Sequence, residues 1–202
     1  MQLLSLDYLV VVSMTIVLII GVYQFYFWCQ RQFIRSHKNL LTFIDSWFGY
    51  HPSWIWIYSG LYYPVIVFVT LTLTDIRHFA YTAFSYFILL VLQMAFFLFF
   101  PVKSPIQWRN QVSASTPSEK FLRFVHKFDA DSNCFPSMHV SVAMLTALHI
   151  LNNRPQLSLL VFLFPILIAL SSLYTKRHYF LDIIPGALLG WVVFEIYKVI
   201  YF

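Results

Sequence analysis

The stretch "SSLYTKRHYFLDIIPG", residues 171–186, separates two of the most apolar runs in the chain. It places a lysine, an arginine, a histidine and an aspartate between runs that consist almost entirely of hydrocarbon side chains. The runs, at roughly 157–174 and 180–201, have about the length of 20 residues that a helix needs to cross a bilayer. Ionisable groups are costly at such a place, so the pattern predicts two membrane-spanning helices joined by a polar loop with a function.

The composition of the whole chain indicates the same environment. Of its 202 residues, 60% are apolar and 10% are charged, and the mean hydropathy is +0.72. Soluble domains usually carry about 25% charged residues, which excludes a soluble enzyme here. The formal net charge of +5 comes from single basic residues in short loops, so we expect anionic lipid head groups, and no nucleic acid, as partners. Cys29 and Cys134 are too few for a disulfide framework or a cysteine-based zinc site, and both are expected to be free thiols.

We expect an all-α polytopic membrane protein, with six transmembrane helices in a bundle, short interfacial helices and a single domain over residues 1–202. The apolar segments run roughly over 3–28, 53–74, 79–100, 137–151, 157–174 and 180–201. The fourth segment, with 15 residues, reaches only about 23 Å against a hydrocarbon core of about 30 Å. Its first turn is therefore expected below the membrane surface, or its neighbours are tilted.

Two longer loops connect these segments. Loop 29–52 mixes basic and aromatic residues and is expected to lie along the membrane interface. Loop 101–136 contains Thr116-Pro117-Ser118-Glu119, a capping box with proline at the first helical position, and phenylalanines follow at helical spacing. This predicts a short amphipathic helix on the membrane. The pattern leaves open whether that helix is a lid over a site or only a solvated loop helix.

The first cluster of candidate functional residues lies in the opening stretch. His178 and Asp182 are four residues apart at the start of the last predicted helix, so they share one face. A carboxylate there can hold one imidazole nitrogen and leave the other as a nucleophile or base. Lys176 and Arg177 are adjacent and would attract an anion. Taken alone, the pair is equally compatible with a structural anchor of the helix end at the interface.

The second cluster is "NCFPSMHVS", residues 133–141, which opens the short fourth segment. Proline followed by Ser137 marks a helix start, where free backbone N–H groups and the helix dipole favour an anion. His139 lies inside a segment that should be buried, and an ionisable residue at such a depth is a candidate functional residue. His149, isolated further along the same apolar segment, is expected to be a packed or interfacial histidine.

The third cluster, "FFPVKSPIQWRN" at residues 99–110, places Lys103 and Arg109 at the end of the third segment. Basic residues at helix ends are ordinary membrane anchors, so this signal is weak by itself. With six helices in order, however, the ends of helices three and five and the starts of helices four and six lie on one side of the membrane. The three clusters therefore predict one phosphate site that contains a nucleophile and an acid.

These clusters resemble the motifs of a known family, the type 2 phosphatidic acid phosphatase superfamily, and within it the branch of the inositol phosphorylceramide synthases. The family has a Lys…Arg-Pro segment, a Pro-Ser-Gly-His motif and a Ser-Arg-x5-His-x3-Asp motif. The second motif is present as "PSMH" at residues 136–139, and the third keeps His178 and Asp182 at its spacing. The resemblance covers roughly residues 95–190 and includes the order of the helices.

The chain departs from the family pattern at two places. Lys103 and Arg109 are separated by five residues instead of six, and no proline follows the arginine. Ser172 stands where the third motif has its arginine, six residues before His178. If a basic side chain still fills that place, a neighbour of His178, either Arg177 or Lys176, has to supply it.

The resemblance implies a role for each candidate residue. His178 attacks the phosphorus of a lipid phosphate, Asp182 orients His178, and His139 protonates the leaving oxygen and then activates the acceptor. Basic side chains, a hydroxyl and backbone N–H groups hold the phosphoryl oxygens, at Lys103, Arg109, Ser137, Met138 and Arg177. No cofactor is expected. The sequence has no carboxylate cluster suited to Mg²⁺, so the chemistry is expected to run without a metal.

Several functions fit these residues. The first is hydrolysis of a lipid phosphate monoester or pyrophosphate through a phosphohistidine, which the small size of the chain favours. The second is transfer of the phosphoryl head group to an alcohol, as the synthase branch implies. A non-enzymatic six-helix transporter is a third possibility, and a metal site built from His139, His178 and Asp182 is a fourth. The sequence does not decide the lipid head group, the acceptor or the oligomeric state.

The orientation in the membrane has two conflicting indications. Ten lysines and arginines fall on the side of the predicted site and three on the other, which would place the site in the cytoplasm. Four of the ten are candidate site residues that chemistry would retain. The family usually presents this site to the periplasm or lumen, and we expect that orientation here.

Overall fold

The computed structural model of the protein describes residues 5–31, 38–113, 115–128 and 132–202. Within these ranges the regular secondary structure elements are all helical, which confirms the expected all-α class. Eight of them are α-helices: α1 (Ser5–Arg31), α2 (Tyr62–Thr70), α3 (Ile76–Phe99), α4 (Ile106–Asn110), α5 (Pro117–Phe128), α6 (Met138–Asn153), α7 (Leu163–Tyr174) and α8 (Phe180–Tyr201).

The helices that could cross a membrane follow the predicted segments. Within the described ranges five helical stretches have the necessary length and apolarity: Val11–Cys29, Pro52–Thr70, Ile76–Phe99, Pro155–Tyr174 and Phe180–Tyr201. This is consistent with an integral membrane protein. The remaining predicted segment, 137–151, corresponds to α6, which has 16 residues and is shorter than these five. The count of six transmembrane helices therefore stays a prediction.

The second span changes its helix type along its length. It begins with a 3₁₀ turn at Pro52–Trp54, continues as a π-helical turn at Trp56–Leu61 and becomes α2. The sequence predicted one helix to about residue 74, but α2 ends at Thr70. A π-helical turn contains an extra residue, and such turns are frequent at functional sites. Here it carries Tyr58, whose side chain is buried and reaches α6.

Helix α6 lies at the centre of the protein, packed against α8. Its side chains Ala143, Leu145 and Ala147 are fully buried. Two glycines of α8 allow the close approach. A Cβ atom at Gly186 would lie 2.7 Å from the backbone oxygen of Ser137, and one at Gly190 would meet the backbone of α6 at even shorter range. The contact brings together the first turns of α6 and α8, which carry the second and third motifs.

Helix α5 confirms the predicted capping box. The backbone N–H of Thr116 donates to Glu119 Oε2 at 3.0 Å, and the backbone N–H of Glu119 donates to Thr116 Oγ1 at 3.2 Å. The apolar face of α5 packs on the second span, where Leu122 is fully buried in a cluster with Tyr58. The indole N–H of Trp56 donates to Ser118 Oγ at 3.0 Å. The amphipathic helix is therefore docked on the π-helical turn.

Candidate active site

The third motif is built at the beginning of α8. His178 lies just before the helix and Asp182 lies in its first turn, and His178 Nδ1 is 3.3 Å from Asp182 Oδ2. The same carboxylate oxygen accepts a hydrogen bond from the backbone N–H of Tyr179 at 2.9 Å. His178 Nδ1 also lies 3.0 Å from the carbonyl oxygen of Cys134. Because these contacts engage Nδ1, Nε2 is the nitrogen of His178 that can meet a substrate.

The histidine of the second motif faces this pair from α6. His139 Nδ1 lies 2.9 Å from the hydroxyl oxygen of Tyr58, and the two rings stack with centroids 4.3 Å apart. The ring of Tyr62 packs against His139 at 4.8 Å. The ring centroids of His139 and His178 are 6.2 Å apart, so one phosphoryl group can contact both rings. The structure thus brings His139, His178 and Asp182 into one site.

Ser137 joins the two helices that carry these residues. It is the N-cap of α6, and its hydroxyl accepts a hydrogen bond from the backbone N–H of Val140 at 3.4 Å. Its own backbone N–H donates to the carbonyl oxygen of Asp182 at 3.0 Å. Met138 follows as the first residue of α6. Both of these hydrogen bonds of Ser137 have a structural role, and its contact with phosphate stays a prediction.

Arg177 is placed beside the position where the family motif has its arginine. Its backbone N–H donates to the carbonyl oxygen of Ser172 at 2.9 Å, and Arg177 as a whole is 7% exposed. Arg177 precedes α8, so the helix does not force its side chain away from that of His178.

Lys176 points elsewhere. Its backbone lies in the left-handed region with φ of 58°, and its ammonium donates to the carbonyl oxygen of Asp45 at 2.9 Å. The ammonium also lies 5.0 Å from the ring centroid of Trp108. Burial lowers the pKa of Lys176, while the nearby Asp45 carboxylate raises it. Lys176 therefore holds the segment Phe43–Trp47, and the predicted contact of Arg177 with the phosphate stays a prediction.

The first motif approaches the site through its backbone. The carbonyl oxygen of Lys103 accepts a hydrogen bond from the phenol of Tyr179 at 2.6 Å, and the backbone N–H of Lys103 donates to Lys38 at 3.1 Å. The Lys103 side chain is exposed. Burial raises the pKa of Tyr179, which keeps this phenol neutral. Arg109 is in α4, but its side chain lies outside the described part of the chain.

Comparison with known proteins gives the family. Residues 30–196 match the model of the PAP2 superfamily. The chain belongs to the PAP2 superfamily. It is also similar to the uncharacterized protein MJ0662 of Methanocaldococcus jannaschii, with 24% identity over 184 residues. That alignment covers 91% of this chain and 56% of the relative, so the chain spans little more than half of the relative's length. No solved structure matches the chain.

Membership of the PAP2 superfamily bears on the chemistry of the site. Its members are generally phosphatase-type enzymes that act on phosphate esters, and the matched residues include all three clusters. The inositol phosphorylceramide synthase branch is a finer assignment than this match provides. It therefore remains an expectation from the resemblance of the motifs.

A candidate metal-binding group overlaps the PAP2 site without matching the predicted one. Cys134, His178 and Asp182 are buried and each offers one ligand atom, and these atoms lie within 4.8 Å of one another. A thiolate, an imidazole and a carboxylate are ligands that suit Zn²⁺. The metal alternative from the sequence used His139 in place of Cys134. The structure therefore indicates Cys134, His178 and Asp182 as the candidate metal ligands, and not the set expected from the sequence.

The sequence did not identify three residues that complete the PAP2 site. Tyr58 contacts His139, and Asp45 Oδ1 accepts a hydrogen bond from the backbone N–H at the start of α8, at 2.7 Å. The buried amide of Gln93 donates to the carbonyl oxygen of Pro136 and accepts from a serine of α6. Two signals were present in the sequence: "TFID" at 42–45 is a capping-box pattern, and Gln93 interrupts an apolar run.

Proposed function

We propose that the protein is a membrane-embedded phosphatase that hydrolyses a lipid phosphate monoester or pyrophosphate without a metal ion, through a phosphohistidine on His178. The observation that carries this proposal is the pair of facing rings, 6.2 Å apart, in which each histidine has Nδ1 engaged by a protein group. The Nε2 atoms of both rings can then act on one substrate. Phosphoryl transfer needs such a nucleophile beside a general acid.

In the first step, Nε2 of neutral His178 attacks the phosphorus, and the bond between phosphorus and the lipid oxygen breaks. The leaving oxygen takes the proton from Nε2 of protonated His139, so a monoester releases the lipid as a neutral alcohol and a pyrophosphate releases it as the lipid monophosphate. Asp182 accepts the Nδ1–H of His178 and stabilises the positive charge of the phosphorylated ring. His139 ends this step neutral, with its proton on Nδ1.

In the second step, a water molecule replaces the lipid product. The water oxygen attacks the phosphorus while Nε2 of His139 takes one proton from the water. The bond between phosphorus and His178 breaks. Inorganic phosphate is released, His178 is neutral again and His139 is protonated again. The same two nitrogens therefore serve both steps, and the site returns to its initial state.

The phosphoryl oxygens are held by positive charge and by helix α6. Arg177 supplies the charge beside His178, with Lys103 and Arg109 at the mouth of the site. Ser137 and the backbone N–H of Met138 lie at the positive end of the α6 dipole, where anions are favoured. These donors stabilise the charge that develops in the transition state.

A lipid is the proposed substrate because the site lies at the ends of helices that are long and apolar enough to cross a membrane. Water is the proposed acceptor. With an alcohol as acceptor, the same phosphohistidine would be the intermediate of a phosphotransferase. Product analysis with and without added inositol separates the two, since transfer gives a new phosphomonoester and hydrolysis gives inorganic phosphate.

The test of the nucleophile is trapping of the intermediate. The wild-type protein, quenched during turnover of a radiolabelled lipid phosphate, should retain label that is labile in acid and stable in base. His178→Ala should retain none and should release no phosphate. Label that persists in His178→Ala would contradict the assignment. Phosphate release by the wild type would also distinguish this enzyme from a non-enzymatic transporter.

The role of the carboxylate and the independence from metal need separate measurements. Asp182→Asn should reach the membrane in normal amounts yet turn over slower by about two or more orders of magnitude, because an amide cannot stabilise the charge on His178. Wild-type turnover in Asp182→Asn would return the pair to a structural role. Full activity after treatment with EDTA and a zinc-selective chelator supports metal-independent chemistry, and loss that added Zn²⁺ restores would contradict it.

The periplasmic or lumenal side is the proposed location of the site. The native cysteines, Cys29 and Cys134, are buried, so an introduced exposed thiol can be labelled over a low background. Lys120→Cys, on α5, reports the side of the site, and Arg154→Cys reports the opposite side. An impermeant reagent applied to intact cells should label the first variant only.

A further inference from the structure

Tyr58 makes the closest described contact with the ring of His139. Its hydroxyl oxygen is 2.9 Å from His139 Nδ1, and the two rings stack at 4.3 Å with an interplanar angle of 29°. Tyr58 is only 2% exposed and comes from the π-helical turn, 81 residues away in the chain. The phenol is therefore fixed in place before any substrate binds.

We propose that Tyr58 is a positioning residue for His139: its phenolic oxygen accepts the Nδ1–H of His139 and so reserves Nε2 for proton transfer with the substrate. The inference rests on the proposed phosphatase function. It concerns a residue that lies outside the three motifs, although within the residues that match the family model.

The direction of this hydrogen bond follows from the proton balance of the reaction. Protonated His139 carries a proton on each nitrogen, and only the Nε2 proton passes to the leaving oxygen. The Nδ1 proton stays on the hydrogen bond to Tyr58, and Nε2 is then a free base for the water. If Tyr58 donated to Nδ1 instead, Nε2 would carry the only ring proton, and its release would leave an imidazolate, which is far too basic. Tyr58 keeps its own proton throughout.

The partners of the two histidines differ in charge, and this difference fits their proposed roles. His178 has the carboxylate of Asp182 on Nδ1, at 3.3 Å, and a carboxylate stabilises a positive ring. His139 has a neutral phenol, which orients the ring and adds no full negative charge. A ring that becomes positive during phosphorylation, as proposed for His178, needs a carboxylate as its partner. A ring that must give up a proton easily, as proposed for His139, is better supported by a neutral phenol.

The packing around Tyr58 explains why the phenol can act as a fixed acceptor. Ile55 and Leu122 are both fully buried in the same cluster as the Tyr58 ring. Leu122 belongs to α5, so this helix covers the Tyr58 ring from the side of the loop. The orientation of His139 is thereby tied to the second span and to α5, which the motif pattern did not connect with the site.

The experiment compares Tyr58→Phe with Tyr62→Phe. Both tyrosine rings pack on His139, but among the described contacts only Tyr58 offers its hydroxyl to the ring. With an alkyl lipid phosphate, whose leaving oxygen needs a proton, Tyr58→Phe should lower kcat by about tenfold to hundredfold with little change in KM. With para-nitrophenyl phosphate, which leaves without protonation, the first step is followed as the nitrophenolate burst of the first turnover, and its rate should fall by less than about threefold. Tyr62→Phe should resemble the wild type on both substrates.

Equal losses in kcat for the alkyl phosphate and in the burst rate for para-nitrophenyl phosphate would mean that Tyr58 only supports packing. No loss in either would mean that it has no role, and each result overturns the proposal. Nitrogen NMR of histidine-labelled wild-type protein tests it without a variant, with His139→Gln to assign the signal. Neutral His139 should be the Nδ1–H tautomer. The Nε2–H tautomer in an active wild type would overturn the role of Tyr58 alone, whereas a wild type that releases no phosphate from either ester would overturn the proposed function.

Discussion

The carboxylate of Asp45 caps helix α8 from a distant part of the chain. Asp45 Oδ1 accepts a hydrogen bond from the backbone N–H of Phe180 at 2.7 Å, across 135 residues. Its other oxygen accepts from the backbone N–H of Thr42 at 2.7 Å and from the Thr42 hydroxyl at 2.8 Å. One buried carboxylate therefore fixes the segment Phe43–Trp47 to the helix start that follows His178.

Asp45→Ala should misplace His178 as well as weaken α8. Loss of an N-cap costs about 1 kcal/mol, and a small displacement of a nucleophile is costly for turnover, so we expect a lower Tm and kcat reduced about tenfold or more. The matched control is Asp75→Ala, because Asp75 Oδ1 caps α3 through the backbone N–H of His78 at 2.8 Å, away from the site. It should lower Tm with kcat nearly unchanged. Similar kcat values in the two variants would contradict a role for Asp45 in positioning.

Gly186 is one of the two glycines at which α8 tolerates no side chain. A Cβ there would lie 2.7 Å from the oxygen and 3.3 Å from the nitrogen of Ser137, whose N–H holds the Asp182 carbonyl. Gly186→Ala should push the two helices apart, at a cost of about 1–3 kcal/mol in stability, and should lower kcat more than about tenfold.

Gly21→Ala is the matched control for Gly186→Ala. A Cβ at Gly21, in the middle of α1, meets no atom within 4 Å. Alanine is the better helix former, so Tm should stay the same or rise slightly and kcat should not change. Thermal unfolding and turnover of both variants in the same detergent check the prediction. Wild-type kcat in Gly186→Ala would show that the site does not depend on this helix contact.

The parts of the site that could be predicted from sequence are the local ones. His178 and Asp182 are four residues apart and meet as predicted, although His178 lies just before α8 and only Asp182 lies in it. The start of α6 at Met138 follows from the proline and serine before it. The predicted starts at residues 137 and 180 agree with these positions because capping and helix periodicity depend on near neighbours.

The contacts that could not be predicted span long distances in the chain. Tyr58 reaches His139 across 81 residues, and Asp45 reaches Phe180 across 135. A tyrosine in an apolar span of this composition is most simply a membrane-facing or core residue, and nothing local indicates a π-helical turn. The register that directs Tyr58 into the site is set by packing against α5 and α6, which one sequence does not reveal.

Glu119 makes the N-terminal cap of α5 sensitive to acid. Its Oε2 accepts hydrogen bonds from the Ser115 hydroxyl at 2.6 Å, the Thr116 N–H at 3.0 Å and the Ser113 hydroxyl at 2.9 Å, which lower its pKa to about 2. The pKa of an unfolded glutamate is about 4.3. Since the folded value is the lower one, this stabilisation is complete above about pH 4.3 and is lost as the pH falls towards 2.

The fluorescence of Trp56 is the local reporter for this change, because its ring stacks on Phe121 of α5 at 4.9 Å. The Trp56 fluorescence, obtained by subtracting the spectrum of Trp56→Phe from that of the wild type, should change between about pH 4.3 and pH 2. Glu119→Gln keeps the size of the side chain but cannot titrate, so its signal should not follow the same transition. An identical acid transition in Glu119→Gln would assign the effect to other groups.

Arg177 stands next to His178, the proposed nucleophile, and is the proposed source of a positive charge for the phosphate. Its neighbour Lys176 donates to the Asp45 carbonyl at 2.9 Å and is thereby directed to the segment Phe43–Trp47. The backbone of Arg177 is bonded to Ser172, the position at which the family has its arginine. An arginine can therefore reach the same region from a neighbouring backbone position. The alternative role is an anchor that binds a lipid phosphate of the bilayer.

Arg177→Ala should lower kcat/KM by about one to two orders of magnitude, the loss of one charge-assisted contact with the phosphoryl group. Arg177→Lys should recover only part of it, because lysine cannot make a bidentate contact. Lys120→Ala, which removes an exposed cation from α5, is the control and should be close to wild type. The kinetics are measured in neutral detergent micelles without anionic lipid, where a membrane anchor has no partner. Unchanged kcat/KM for Arg177→Ala under these conditions would mean that Arg177 only anchors the protein and that the substrate phosphate is held by other groups.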